Sequence, residues 1–397
     1  MFEKIVLRRA TGGEPVSAGQ LAEALLYYQN VHIVIDHGSF HLLVKQIGIQ
    51  NLLGLLRRPN VSAVYCEESV ATHTESIGAF QIHSYIAFSI TGHEKVGGHL
   101  ETRQQRFEYF LQELGYERKQ ASRFARTFLE RVPIRRLTGD HYLKGGVTHA
   151  GKADLSDAVY VQAAIRCALS AIPGGTNELG ILKFDVVDTE IGFHIFTNID
   201  FAEINRRRSR LLPPEEPLTV ALLLNYMLEA RTDIALASFY GGDFATSSIT
   251  SEIIQVRHSE FMRRYEIHDQ AIGQFTEIVL PDSPSLKEVI DAKEKTFDDF
   301  LLLLDKADRF KHWLQSVNPD EGLVRTYLKD VSSDAWIDRL PAKTLRYVMT
   351  SAIDKANPVA GFIAGIADSF LVDKLLGGWR PNHFVNSRIR KFVSPES

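Results

Sequence analysis

Cysteine is scarce in this chain, and its scarcity excludes two kinds of small-domain architecture. Among 397 residues there are two cysteines, Cys66 and Cys167. Two thiols cannot build a disulfide framework or a cysteine-rich zinc site. The apolar sequence around each of them favours inert packing over nucleophilic catalysis. We therefore predict a protein of a reducing compartment, the cytoplasm.

Signals for secretion, repetition and serine hydrolysis are also missing. The first ten residues contain no apolar core of the kind that a secretory signal needs. The sequence has no internal repeat, no low-complexity segment and no Gly-x-Ser-x-Gly motif. These absences favour an ordinary multidomain globular protein over a secreted protein, a solenoid or an α/β-hydrolase.

One long apolar stretch, Pro358 to Leu376, raises the question of a membrane helix. A membrane span needs about 20 residues with few charges, whereas this stretch includes Asp368, Asp373 and Lys374. We predict a buried helix and no stable membrane span. A Gly-x-x-x-Gly spacing within the stretch keeps a membrane-acting effector as a third functional possibility.

No strong charge excess marks the chain as a whole. Its formal net charge of -4 argues against a protein that coats nucleic acid over its whole surface. Between Glu101 and Lys152, however, eleven Lys and Arg stand against six Asp and Glu. Such an excess can meet phosphates, so the segment is a candidate for nucleic-acid contacts, although a solvated helix face is the commoner explanation. The predicted contact residues are Arg123, Arg126, Arg135 and Arg136.

The composition, 45% hydrophobic and 24% charged, is that of a globular protein, and the length suits two or three domains. Two proline-containing breaks, at Leu212 to Pro217 and Pro281 to Pro284, divide the chain. We predict an α/β domain over residues 1–212, a linker with connecting helices over 213–283, and an all-α helical C-terminal domain over 284–397. The apolar C-terminal helices predict a protein partner or a homo-oligomer.

The stretch from Ser17 to Cys66 carries the clearest fold signal. Ser17 and Gln20 form the pattern of a capping box, which starts an amphipathic helix. Val31 to Ile35 and Val61 to Cys66 are short, β-branched and apolar, as strands buried on both faces are. A helical pattern lies between them, with Ser39 in position to cap it. Strand, helix and strand at this spacing predict a right-handed βαβ unit with parallel strands.

Polar residues follow both predicted strands. Asp36 and His37 leave the end of the first strand, and Glu67 and Glu68 leave the end of the second. Ligands of parallel sheets bind at the carboxyl ends of strands, so these four residues are candidate catalytic residues. Asp36, Glu67 and Glu68 are also candidate ligands of Mg or Mn, which prefer oxygen donors. The alternative is that they are solvated loop residues.

The segment Gly146 to Lys152 has the glycine and lysine spacing of a phosphate-binding P-loop. Ala153 stands where a Ser or Thr hydroxyl would hold magnesium, and no buried strand precedes the segment. We therefore interpret residues 139–152 as a glycine-rich surface loop.

Since no catalytic signature is complete, the sequence favours a cytoplasmic binding or regulatory protein. Its partner is a ligand or a macromolecule, with nucleic acid as one candidate. The alternative is a metal-dependent hydrolase or nuclease that uses the carboxylates at the strand ends.

Overall fold

A computed structural model gives the structure of the chain. It describes residues 2–9, 14–78, 80–89, 100, 102–175, 180–211, 213–244, 246–281, 283–317, 322–331 and 379–394. Within these ranges, residues 259–267, 328, 329 and 331 are described by their backbone alone.

Nine strands and thirteen principal helices make up the described part of the chain. The strands are β1 Lys4–Arg8, β2 Asn30–Ile35, β3 Val61–Cys66, β4 Glu68–Ile77, β5 Phe80–Ser89, β6 Ile134–Arg135, β7 Phe184–Asp188, β8 Phe193–Thr197 and β9 Asp243–Phe244. The helices are α1 Ala18–Tyr27, α2 His37–Leu55, α3 Arg103–Glu113, α4 Arg118–Arg131, α5 Gly146–Leu155, α6 Ala158–Ala171, α7 Phe201–Arg208, α8 Val220–Tyr240, α9 Ser248–Val279, α10 Leu286–Asp291, α11 Phe297–Leu304, α12 Asp308–Ser316 and α13 Leu323–Val331. Three consecutive helical segments, Pro381–Phe384, Val385–Ile389 and Arg390–Val393, end the described chain, and the middle one is π-helical.

The central sheet is parallel and has the strand order β6-β3-β2-β1-β9. Its first three strands are joined by α1 and α2, so the predicted βαβ unit is confirmed. The chain places β9 on the opposite side of β1 from β2. Strand order therefore reverses beside β1, and the carboxyl ends of β1 and β9 form the kind of crevice where α/β proteins bind ligands.

A second sheet is antiparallel, with the strand order β4-β5-β8-β7. Its longest ladder pairs β4 with β5 over ten residues. The apolar runs on either side of Asp188-Thr189-Glu190 predict a hairpin, and the structure confirms it as the antiparallel strands β7 and β8. The polar run after Glu68, which gave no strand signal, forms β4. Its side chains alternate between a covered face and a face open to solvent, as period-2 geometry requires.

Alternate residues of the parallel strands point to two separate hydrophobic cores. On one face, Ile33 and Tyr65 pack with α1 to α4 and with the helices that follow Pro284. On the other face, Val34 and Val64 pack with α5, α6, α8 and the covered face of the antiparallel sheet. Because both faces are covered, the strands are apolar almost throughout.

The predicted fold class, an α/β portion followed by helices, is confirmed in the described residues. Two features bear on the predicted domain boundaries. The segment 213–283 contributes strand β9 to the central sheet and does more than link two units. The helices after residue 284 share one hydrophobic core with α1 and α2. Whether residues 284–397 fold alone remains a prediction.

Local predictions were correct in some places and wrong in others. The capping box of Ser17 and Gln20 is present in both directions. The cap of α2 is Asp36 and not Ser39, because the helix starts directly after β2 and the Asp36 carboxylate accepts from the Ser39 amide. Residues 139–152 are only partly a loop, since α5 begins at Gly146. The apolar stripe from Phe297 to Val317 predicts one long helix capped by Thr296, but the structure divides it into α11 and α12.

The helix predicted from Pro358 to Leu376 falls outside the described residues, and so does a shorter helix that the sequence predicts at residues 341–353. Of the helices that the structure does describe, none combines the length and the apolar character required to cross a membrane.

Candidate functional site

The predicted strand-end residues leave neighbouring strands. Ile35 of β2 pairs with Tyr65 of β3, so the chain emerges at Asp36 and at Glu67 on the same edge of the sheet. The adjacency on which the carboxylate prediction depended is therefore present. What decides their chemistry is the set of partners that each carboxylate has.

Every one of the three carboxylates has cationic or amide partners. Asp36 accepts from the Ser39 amide at 2.7 Å and lies 3.7 Å from the guanidinium of Arg9. Glu67 accepts from Arg103, with 3.0 Å from Nε to each carboxylate oxygen, and from Nη2 of Arg106 at 3.0 Å. These contacts compensate the negative charge without a metal ion.

Glu68 is held in the same way at the start of β4. It accepts from the amide and the hydroxyl of Thr138, at 2.9 Å and 2.8 Å. Arg136 lies 3.8 Å from the same carboxylate. Glu68 therefore fixes the segment after β6 against β4, which is a structural role.

A divalent metal ion is not supported by this geometry. Within the ranges that the structure describes, no three His, Cys, Asp or Glu side chains come together in a group able to hold a metal. His37 packs its ring 4.4 Å from that of Phe110, between ring centroids. The catalytic role of Asp36, His37, Glu67 and Glu68 remains a prediction.

A buried ion cluster that the sequence analysis did not single out lies beside this edge. Arg8, the last residue of β1, is bonded to Glu229 and, at 2.5 Å, to Asp233 on α8. Burial raises the pKa of Asp233, and the charge of Arg8 opposes that shift. The hydroxyl of Thr246 donates to Asp233 at 2.5 Å. The available sequence signal was an arginine directly after the apolar run from Ile5 to Leu7.

Cys66 lies at the same edge of the central sheet, and its thiol is unreactive. Burial raises the pKa of its thiol to about 11, with the nearby Arg8 acting in the opposite direction. A thiol with a raised pKa is a poor nucleophile at neutral pH, as the sequence had indicated.

The predicted basic residues lie on the outer side of α4 and on the segment that follows it. Phe124, Ala125 and Phe128 are buried, while the arginines of α4 are exposed. The helix contains one acidic residue, Glu130, whose carboxylate is 4.0 Å from Arg126. We define the basic surface as the exposed cations of α4 together with Arg135, which ends β6, and Arg136, which follows it. Its members are Arg118, Lys119, Arg123, Arg126, Arg131, Arg135 and Arg136.

The arginines of the basic surface differ in how firmly they are held. The guanidinium of Arg123 lies 5.0 Å from the ring centroid of Phe124, which orients it at the surface. Arg135 is half-buried and donates to the carbonyl of Ile134 at 3.1 Å. Arg123 and Arg126 are one helical turn apart, so their side chains share a face.

An aromatic cluster beside Arg135 was not predicted. His141 and Phe239 are exposed, with ring centroids 4.7 Å apart. Tyr142 packs against Phe239 at 5.2 Å, and its hydroxyl is 2.9 Å from that of Tyr240. These rings come from segments about a hundred residues apart, so the sequence gave no sign that they meet.

Electrostatics place the aromatic cluster within range of Arg135. Burial first, and then the charge of Arg135, lower the pKa of His141. Burial raises the pKa of Tyr240, while Arg135 opposes that shift. Exposed rings within electrostatic range of a guanidinium combine a stacking surface with a phosphate-binding group.

A cavity on another part of the molecule has the opposite charge. Its volume is about 550 Å³, and its lining includes the four acidic residues Glu23, Asp269, Glu277 and Glu288. Burial, reinforced by neighbouring acids and opposed by Lys287, raises the pKa of Glu23 to about 7. This cavity repels phosphate.

The P-loop-like segment does not form a phosphate cradle. Gly145 and Gly146 have φ of 79° and 80°, and α5 begins there without a preceding buried strand. Lys152 is directed to Asp188, at 3.3 Å. Its charge is therefore used within the protein.

Comparison with known proteins adds no name to this site. No protein-family model, curated protein or solved structure shows significant similarity to the chain.

Proposed function

We propose that this chain binds nucleic acid through the basic surface of α4 and β6. The observation that carries the proposal is the separation of residue types around α4. One side of the helix packs Phe124 and Phe128 into the core, and the other side presents Arg123 and Arg126 to solvent. A helix face with this many cations and one acid has a larger positive charge than solubility alone requires.

Arginine suits this function because its planar guanidinium donates two parallel hydrogen bonds to a phosphate. Contacts of this kind fix the position of a nucleic-acid backbone without reading its sequence. We expect binding with little sequence preference.

The aromatic cluster suggests which form of nucleic acid is preferred. Unpaired bases stack on exposed rings, and each stacked base contributes about 1–3 kcal/mol. His141 and Phe239 offer such rings near Arg135. We infer that a single strand, whose bases are free to stack, binds more tightly than a duplex.

The first prediction is that Arg123→Ala combined with Arg126→Ala weakens binding of a fluorescently labelled single-stranded oligonucleotide. The loss should be about tenfold, taking about 0.7 kcal/mol for each exposed ion pair. Fluorescence anisotropy at one fixed salt concentration measures the change in Kd.

The matched control removes two arginines from α7. Arg206 and Arg207 both pair with Glu203, so one carboxylate already neutralises part of their charge. Arg206→Ala with Arg207→Ala makes the same change in net charge and should leave Kd nearly unchanged. Equal losses in the two double variants would show that net charge, and not the α4 face, determines binding.

The alternative function, metal-dependent hydrolysis at the strand ends, has less support. Arginines and amides satisfy Asp36, Glu67 and Glu68. Ion pairs between these arginines and carboxylates also hold secondary structure together, which accounts for the contacts without a reaction.

A further inference from the structure

The antiparallel sheet has one apolar face that the described chain leaves open. Alternate residues of β5 point in opposite directions. His83 is buried, with Nδ1 2.9 Å from the hydroxyl of Thr74, and Tyr85 donates to the carbonyl of Leu224. The intervening residues point away from the core. They are Phe80, Ile82, Ser84, Ile86 and Phe88, and we call the surface that they share with their cross-strand neighbours the outer face.

Neighbouring strands extend the outer face. Ile77 pairs with Phe80 across the β4–β5 ladder, and Phe196 and Val187 lie on the same side of β8 and β7. The Phe80 ring is 5.6 Å from that of His194, between centroids. Phe80, Phe196 and Phe88 are 59%, 53% and 41% exposed. An exposed apolar patch of this extent marks an interaction site.

The order of side chains along β5 identifies the partner. Read from Phe80 to Phe88, the outer residues are Phe, Ile, Ser, Ile and Phe, which is symmetric about Ser84. Consider a two-fold axis that lies between the two sheets, runs across the strands and passes over Ser84. It would bring Phe80 of one copy to Phe88 of the other, and Ile82 to Ile86. Isologous interfaces require this kind of self-complementary patch. We propose that two copies of this chain pack their outer faces together about a two-fold axis at Ser84.

The charges on the outer face are unsuited to an anionic partner. The four strands contain no lysine or arginine, and Glu75 and Asp185 pair with Ile82 and Phe196 on this side. Phosphate groups of nucleic acid or of lipids would be repelled. The outer face is therefore separate in function from the basic surface of α4 and β6.

The size of the outer face is sufficient for a dimer. At about 3.4 Å per residue and about 4.8 Å between strands, the four strands cover on the order of 500 Å² in plan. The accessible area of a side-chain surface exceeds its plan, so this face approaches the roughly 800 Å² per partner of a standard interface. Face-to-face sheets about 10 Å apart interdigitate their side chains, as in a β-sandwich.

Sedimentation velocity of the full chain across a range of concentrations tests this proposal. We expect the wild type to be a dimer. Phe80→Asp and Phe88→Asp should each shift the protein to a monomer, because the two-fold axis places Phe80 of one copy against Phe88 of the other. Circular dichroism of each variant establishes that the fold is retained.

The controls place the same substitution on exposed apolar residues away from the sheet. Val159 on α6 is 82% exposed, and Leu302 on α11 is 61% exposed. Val159→Asp and Leu302→Asp should remain dimeric. A monomeric wild type, a dimer that survives both phenylalanine substitutions, or equal loss in the controls would overturn the proposal.

The position of the axis has its own test. Ser84→Cys brings two thiols close to each other across the interface, and a short bismaleimide should join them into a covalent dimer. The wild type measures the background cross-linking of the two native cysteines. Val159→Cys should give no more product than that background. Equal cross-linking of the two variants would contradict an axis at Ser84.

Discussion

His32 is a histidine inside the central sheet. Its ring stacks on Tyr240 with 3.7 Å between centroids, and its Nδ1 is 2.8 Å from the hydroxyl of Ser62. Its Nε2 is buried and has no hydrogen-bond partner among the residues that the structure describes. Burial, and then the charge of Lys4, lower the pKa of His32 to about 4.

This shift makes the stability of the fold depend on pH in the acidic range. An ordinary histidine titrates near pH 6.5, so the unfolded chain takes up the proton at a higher pH than the folded chain. The contribution of neutral His32 to the free energy of unfolding is therefore fully present above about pH 6.5, and it is lost as the pH falls towards 4.

The prediction at the residue scale is that His32→Gln reduces the acid sensitivity of the fold. Between pH 7 and pH 4.5 the wild type should lose about 2.5 kcal/mol more free energy of unfolding than the variant does. Urea unfolding at the two pH values measures this difference. The exposed His312→Gln is the control and should behave like the wild type; identical pH dependence in His32→Gln would contradict the account of His32.

At the scale of residues, the sequence predicted contacts between residues that lie close together in the chain. Ser17 and Gln20 are three positions apart and cap one helix, so the pattern was sufficient. Asp36 and Glu67 were correctly placed at one edge of the sheet. Their arginine partners, Arg9, Arg103 and Arg106, come from loops and helices whose positions the sequence does not specify.

At the scale of elements, Asp154 joins three helices. This buried residue of α5 accepts from Arg231 of α8, with 2.6 Å from Nε to Oδ2. It also accepts from Arg257 of α9 at 2.7 Å. The guanidinium of Arg257 lies 3.6 Å from the ring centroid of Tyr160, which adds a cation–π contact.

Removing the charge of Asp154 should therefore be costly. Asp154→Asn removes the anionic partner of the partly buried Arg231 and leaves Arg257 with the half-exposed Asp157 alone, so we expect a loss of about 3 kcal/mol in the free energy of unfolding. Urea denaturation followed by circular dichroism measures it.

Asp157 provides the matched control, because it also binds Arg257, at 2.6 Å, but is half-exposed. Its side chain caps α6 by accepting from the Tyr160 amide, a role that Asn fills equally well. Asp157→Asn should keep a midpoint close to that of the wild type. A loss as large as that of Asp154→Asn would show that burial of the carboxylate is not what matters.

Elements were predictable where their periodicity was apolar. β2 and β3 are apolar apart from Asn30, His32 and Ser62, and the sequence predicted both strands. β4 alternates polar residues with few large apolar ones, so its strand character appears only when β5 pairs with it. The start of α5 at Gly146 was hidden by two glycines in the left-handed region, which the sequence alone assigns to a loop.

At the scale of the whole molecule, charge and apolar surface are separated. The basic surface lies on α4 and β6, the acidic cavity lies between α1, α9 and α10, and the apolar outer face lies on the antiparallel sheet. A dimer through the outer face would carry two basic surfaces. Linking two binding surfaces raises the affinity for a long strand that can reach both of them.

The sequence predicted the two-part fold class but could not predict how the parts share a core. Phe275 and Phe310 pack in the same hydrophobic core as Tyr27, at ring centroid distances of 6.5 Å and 6.4 Å from it. Contacts this distant in the chain leave no local signal. The symmetric pattern of β5 was visible in the sequence, but it had no meaning until the inner and outer sides of the strand were known.

The most direct test of nucleic-acid binding is the dependence of affinity on salt. For a single strand, the slope of log K against log salt is about −0.7 for each phosphate neutralised, so about four contacts give a slope near −3. Arg123→Ala with Arg126→Ala should make that slope shallower by about 1.4. Absence of binding at low salt, or a slope that is the same in the wild type and the double variant, would contradict the proposed function.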